Sequence, residues 1–304
     1  MDSVSKISRK INLFTKHIGT YSKINTSPTY YATVKLLVNN PCNVDQDTIF
    51  NLLEYSVIIL DLDGFYQIIK HHNDIFRDNY RLIRHILYIA YQNHHQDCSV
   101  YYEMIKYLID YGLDITFNDN FAIKLASLCH ENILKLVIDN GGDVHTDNEF
   151  PICLAASYGR LSCVKLLVDC GVNPFCFDNM VIKLASIDYY DNVVEYMVSI
   201  GADINAGNNF VLRYAIKNLD KKMIELAVNT GANINDISPN DISHIIKHQS
   251  PTIMDILIEY GLDISTVNFC SKIRPERKKF VDKLISQGVD PTIIAYLSYA
   301  YESD

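Results

Sequence analysis

The side chains in this sequence best suited to chemistry are its histidines and cysteines. His244 and His248 lie four apart, so on one helix they would share a face, as half of a zinc site does. Ile245 stands where a catalytic zinc helix would carry Glu, and no third ligand is evident. A packed histidine at 244 is the expectation, with no metal. Cys163 and Cys170 are seven apart on what would be one helix face, with Cys153 and Cys176 nearby. Free cysteine is among the most buried residue types, so small apolar packing groups are expected there. His71, His72, His94 and His95 are expected at solvated loops or helix ends.

A second candidate is VIILDLDGF at 57–65. An apolar run followed by DxDG resembles the first motif of the haloacid-dehalogenase-type phosphatases. That resemblance would make Asp61 the nucleophile and Asp63 the acid and base. No alternating strand and helix pattern follows to supply a phosphate cradle, a Lys or later acids. A Ca²⁺ loop fails as well, because the third acidic position and the terminal Glu are absent. The repeat frame described below places 61–64 between two helices, where a turn is needed. No catalytic residue and no cofactor are assigned.

The bulk numbers agree with a protein that binds. The net charge of −9 argues against nucleic acid or an anionic membrane as the main partner. The apolar run 56–60 is far too short to span a bilayer. The eight cysteines contain no CxxC pair, and the polar opening residues are not a secretory leader. Reduced thiols in the cytoplasm or nucleus are expected, and no secretion. Trp is absent while Tyr, at 21 residues, and Asn are abundant, which points to a bias of the coding genome.

What positions these residues is a repeat. Gly112, Gly141, Gly171, Gly201, Gly231, Gly261 and Gly288 each follow an apolar run, in steps of 29, 30, 30, 30, 30 and 27. Two weaker units precede them, with Pro41 and His72 in the glycine slot, and the run 92–99 accounts for about ten inserted residues before Gly112. Within each unit a large apolar residue (Phe121, Phe150, Met180, Phe210) is followed five positions later by Ala126, Ala155, Ala185 or Ala215. A run of the VKLLV kind follows. Each unit is therefore expected to be two short helices, with Asn120, Asn179 and Asn209 capping the first and Gly ending the second. One such pair cannot bury its own apolar face; stacked copies bury one another.

Residues 150–174, FPICLAASYGRLSCVKLLVDCGVNP, resemble the ankyrin repeat pattern, and 201–205, GADIN, resemble its end. The resemblance covers 34–291. It implies an all-α solenoid of stacked helix-turn-helix repeats, about nine units, the first two and the last irregular. Segment 1–33 is a non-repeat or capping segment, and 292–304 a C-terminal capping helix. The period of 30 falls short of the usual 33 in the segment that makes a β-hairpin in ankyrins, so shortened loops and a flatter groove are expected. The short, Asn- and Tyr-rich units are similar to ankyrin proteins of large DNA viruses of protists.

The resemblance further implies a non-catalytic, monomeric scaffold. It would hold a partner protein, in a host cell for a viral protein, with no small-molecule substrate. Ankyrin partners dock on the concave side, on the inter-unit loops and the outer positions of the first helices. By position these are His145, Asp147, Phe175, Phe177 and Asn208 in the loops, and Tyr158, Asp188 and Lys217 on the helices. Of Phe175 and Phe177, one is expected to tuck into the stack and the other to face solvent. The alternative is a substrate-recruiting adaptor of a ubiquitin-ligase or signalling assembly. Its recruiting segment would lie in 1–33 or 272–304, where no F-box-like pattern stands out. The basic cluster Lys272, Arg274, Arg277, Lys278 and Lys279 is expected to be a solvated face.

Overall fold

The computed structural model describes residues 46–72, 80–93, 97–248 and 251–262, with the isolated positions 34, 35 and 286. Segments 1–33 and 292–304, the basic cluster, Cys42, Cys270, Pro41 and Gly288 lie outside the described residues. The chain divides into two units after Pro174. The first holds α1 (Gln46–Ile59), α2 (Leu62–His71), α3 (Arg81–Gln92), α4 (Ser99–Asp110), α5 (Phe117–Ala126), α6 (Glu131–Asp139), α7 (Thr146–Ser157) and α8 (Leu161–Asp169). The second holds α9 (Cys176–Ile187), α10 (Asp191–Ser199), α11 (Ala206–Asn218), α12 (Lys221–Asn229), α13 (Pro239–Lys247) and α14 (Pro251–Glu259). No strand occurs among the described residues.

The helices pair in sequence order, and the pairs stack. In the first unit the odd-numbered helices form one row, α1 on α3, α3 on α5 and α5 on α7. The even-numbered helices form another, α2 on α4, α4 on α6 and α6 on α8. The second unit repeats this, α9 on α11 on α13 against α10 on α12 on α14. The core lies between the rows. Ala126, Ala155, Ala185 and Ala215 are all fully buried, as are Val164 and Leu167 in the first unit and Val193, Val194 and Met197 in the second.

Helix ends follow the local chemistry. After α8, Gly171 takes φ +90; its N–H donates to Val168 O at 2.9 Å, and Val172 N–H donates to Leu167 O at 3.1 Å. That pair of bonds ties up carbonyls the helix leaves open, in a backbone region where a Cβ would be strained. At His72 the chain keeps φ −137, so this non-glycine ends α2 without left-handed strain. His72 itself is buried, contrary to the solvated end expected. Asp61 caps α2, its Oδ1 accepting the Gly64 N–H at 3.0 Å. The DLDG stretch is therefore a turn running into a helix, with VII inside α1 and no strand before it. The insertion near 92–99 is partly absorbed by helix: α4 has 12 residues where α6 has 9.

The turns between pairs depart from expectation. Three consecutive residues take left-handed φ and ψ: 118–120, 147–149, 177–179 and 207–209. Each closes one left-handed turn, Asn120 N–H donating to Thr116 O at 3.2 Å and Asn209 N–H to Asn205 O at 2.8 Å. The right-handed helix begins only afterwards, which puts Pro151 in the first turn of its helix, where it is tolerated. The asparagines therefore do not cap their own helices. Asn120 Oδ1 accepts the Asp143 N–H of the next repeat at 3.0 Å, and Asn179 Oδ1 accepts that of Asp203 at 3.2 Å. Asn209 Nδ2 reaches Asn233 O at 2.6 Å.

Two predictions follow from this packing. Ala155→Leu or Ala185→Leu inserts a branched side chain where two rows touch and should destabilise the fold by about 1–3 kcal/mol in urea denaturation. The second concerns His85, which is buried in α3, with neither ring nitrogen in a well-formed hydrogen bond. Burial holds its pKa below the usual histidine value, against the opposing pull of Glu54. The unfolded chain therefore binds a proton that the folded chain resists. The stability is fully present above about pH 6.5 and is lost as the pH falls from there through the lower, folded pKa. A His85→Leu variant should flatten the denaturation midpoint over that acidic range.

Candidate interaction surface

In each unit the candidate surface is the edge made by its left-handed turns, continued along the outward positions of its first helices. Cations rise from three of the helices beneath. Lys124, buried in α5, extends its Nζ to Asp147 in the next repeat's turn, at 3.0 Å. Lys183, at the matching position of α9, is buried too and binds Asp178 in its own turn at 2.6 Å. Arg213, one repeat further, donates to Asp241 at 3.0 Å. The turn residue that faces the Lys124 position is Asp147; the residue in that place opposite Lys183 is Gly207. A Cβ there would stand 2.7 Å from the Lys183 Cε and Nζ. The first left-handed residue thus differs between these two repeats, while in both a first helix meets the following turn.

The expected contact residues differ in exposure and in their neighbours. Phe175 and Phe177 are both exposed, at 38% and 46%, so the expectation that one would be tucked away does not hold. Phe175 lies along the backbone of Gly201, within 3.9 Å of where its Cβ would be. Asn208 and Lys217 are exposed. Asp147 is held by Lys124. His145 shares its proton with Glu149, Nδ1 lying 3.0 Å from the carboxylate, and this raises its pKa. Tyr158 is half-buried, edge to face with Tyr91 at 5.5 Å, and burial with this neighbour pushes the Tyr91 hydroxyl up to about 12. Asp188 is exposed at the end of α9, where partial desolvation raises its pKa.

Sequence reasoning missed Tyr80 and Phe117. Their rings stack at 4.2 Å and 11°, with Tyr80 48% exposed. Phe117 occupies the slot just before the first left-handed residue. Its aromatic character against Thr146, Cys176 and Ala206 in the same slot was the available signal.

Elsewhere the chemistry is quiet. His244 is half-buried, its ring 4.3 Å from that of His248. No group of three or more potential metal ligands gathers among the described residues. Cys153 and Cys163 are buried, and burial pushes the Cys163 thiol up to about 12. Cys170 is exposed. An open groove of about 650 Å³ between α4 and α6 brings Asp97, Cys98 and His130 near one another. Burial, then Asp97, raises the Cys98 pKa, so no thiolate is poised there. No helix among the described residues is long and apolar enough to cross a membrane.

Short helix pairs stacked in sequence order within each unit, all but the first described pair ended by glycine, define a helical repeat protein whose surface varies on a constant frame. A family model for ankyrin repeats matches residues 125–208 and 152–238. The chain is 94% identical, over all 304 residues and the full length of both proteins, to ankyrin repeat protein R602 of Acanthamoeba polyphaga mimivirus. Ankyrin repeat protein R598 of the same virus is 29% identical over 188 residues, covering 50% of this chain and 61% of that protein. R599 is 29% identical over 152 residues, 45% of this chain and 39% of its own. The chain belongs to the ankyrin repeat family, and the likeness to giant-virus members of it holds.

The contact between Lys183 and Gly207 is testable. Gly207→Ala must place a Cβ at φ +66 and move the lysine head, at a cost of about 1–2 kcal/mol. In a Lys183→Met background the crowding term should fall, giving a coupling of about 0.5 kcal/mol or more in a double-mutant cycle followed by urea denaturation.

Proposed function

We propose that this chain is a non-catalytic scaffold that holds a partner protein on the turn edge and the outward positions of its first helices. The observation that carries the reading is the contrast between frame and surface. The buried alanines and the glycine ends recur in register, whereas the first left-handed position runs Asn118, Asp147, Phe177, Gly207. Repeat frames with changing surface residues are suited to recognition, because specificity is set without disturbing the core. Phe175 and Phe177, exposed aromatic side chains on the rigid start of a helix, supply the large apolar contact area that anchors interfaces.

The partner would be met inside a host cell, as the relationship to a virus of amoebae suggests. A Phe175→Ser/Phe177→Ser variant should keep its denaturation midpoint, both side chains being exposed. In affinity capture from amoeba extract it should lose, by at least about tenfold, a protein that the unaltered chain retains in stoichiometric amount. Equal retention by both, with every captured protein unaffected by a further Asn208→Arg/Lys217→Glu change, would show that the edge is not the binding surface.

A further inference from the structure

The turn edge of the first unit differs in character from the rest of the surface. Tyr80 and Phe117 form a stacked pair in which Tyr80 is 48% exposed and Phe117 half-buried, and Phe121 lies 6.5 Å beyond Phe117 in the same group. The turn that begins at Phe117 is joined to the next by two bonds, Asp143 N–H to Asn120 Oδ1 at 3.0 Å and Thr146 Oγ1 to Asp119 O at 3.3 Å. The aromatic pair and both turns therefore form one continuous surface.

The unmatched charge on this surface is negative. The exposed carboxylates of Asp114, Asp119 and Asp143 have no cation within ion-pair distance among the described residues. Asp147 and Glu149 are matched by Lys124 and His145. Arg81, next to Tyr80 in sequence, is turned onto Glu54 at 2.8 and 3.1 Å. The second helices of the same unit carry mixed signs instead, as in Glu131, Lys135 and Asp139 of α6.

We propose that this edge of the first unit, the Tyr80–Phe117 pair rimmed by Asp114, Asp119 and Asp143, binds an arginine-rich extended segment of a partner protein. Arginine suits both halves of the surface. Its guanidinium stacks on an aromatic face and at the same time pairs with carboxylates in a planar fork, whereas lysine offers a compact charge that does neither as well. A nucleic acid is disfavoured, since its phosphates would meet the same three carboxylates. An acidic or purely apolar segment would leave those carboxylates unmatched. The inference rests on the scaffold reading and names a partner chemistry for one part of it.

The test titrates the full chain with fluorescein-labelled nona-arginine, nona-lysine and nona-glutamate at 100 mM salt. Nona-arginine should bind most tightly and nona-glutamate not at all. Asp119→Asn/Asp143→Asn keeps residues that accept the same turn geometry and should weaken nona-arginine about tenfold. Tyr80→Leu should weaken nona-arginine several-fold more than nona-lysine. Glu195→Gln/Glu225→Gln changes the net charge by the same amount far along the sequence and should alter binding less than twofold. An equal loss in that control pair, or Tyr80→Leu acting alike on both cationic peptides, overturns the inference. Capture of a partner through Phe175 and Phe177 leaves the scaffold function standing whatever these titrations give, so the two failures are distinguishable.

Discussion

The left-handed turn between helix pairs is the constraint on which the rest of the structure depends. Three successive residues with φ near +55 reverse the chain in the space where the resemblance would have placed a longer hairpin. For ordinary L-residues each such step costs about 1–2 kcal/mol, less for Asn and Asp and little for Gly. Ten of the twelve residues in the four turns are Asn, Asp or Gly, the exceptions being Glu149 and Phe177. The Asn side chain at the third position then reaches across to the following repeat. The turn thus fixes both the period of thirty and the register between neighbours, and the alanine packing can be tight because that register is held.

Much of this was legible from sequence. The helix pairs, the glycine ends at Gly112 to Gly261 and the buried alanines all follow from one recurring pattern. Each reflects a local demand: a left-handed end, or a close approach between rows. The turns were harder. Asn120, Asn179 and Asn209 stand before a helix, where capping is the commonest use of asparagine, and nothing in one sequence distinguishes a cap from a bridge to the next repeat. The abundance of Asn, which looked like genomic bias, has in these turns a conformational use. His72 was misplaced because its polar neighbours suggested solvent; its side chain is buried, although the glycines in the same slot of later repeats are exposed.

The candidate surface was partly visible. Of the loop and outward helix positions expected to meet a partner, Asn208 and Lys217 are exposed. What no pattern of residue types could give was which side chains are already engaged. Asp147 with Lys124, and Tyr158 with Tyr91, are contacts between residues 23 and 67 positions apart. Such pairings depend on packing distances that composition does not encode. They also change the chemistry of the edge: where a cation from below meets a turn carboxylate, the surface is neutral, and where none does, it stays acidic.

The bridging asparagine has a consequence for how such a chain can change over time. Counted from one glycine to the next, a thirty-residue block carries its reaching amide near its beginning, and the backbone N–H that receives it lies at the start of the block that follows, as Asn120 and Asp143 or Asn179 and Asp203 show. Cut anywhere at the same phase and joined to another block, it presents complementary ends. Copying or deleting whole blocks in frame therefore costs no new invention at the seam. A gene made of such blocks is free to lengthen, shorten and shuffle by recombination, with novelty confined to the few side chains that look outward.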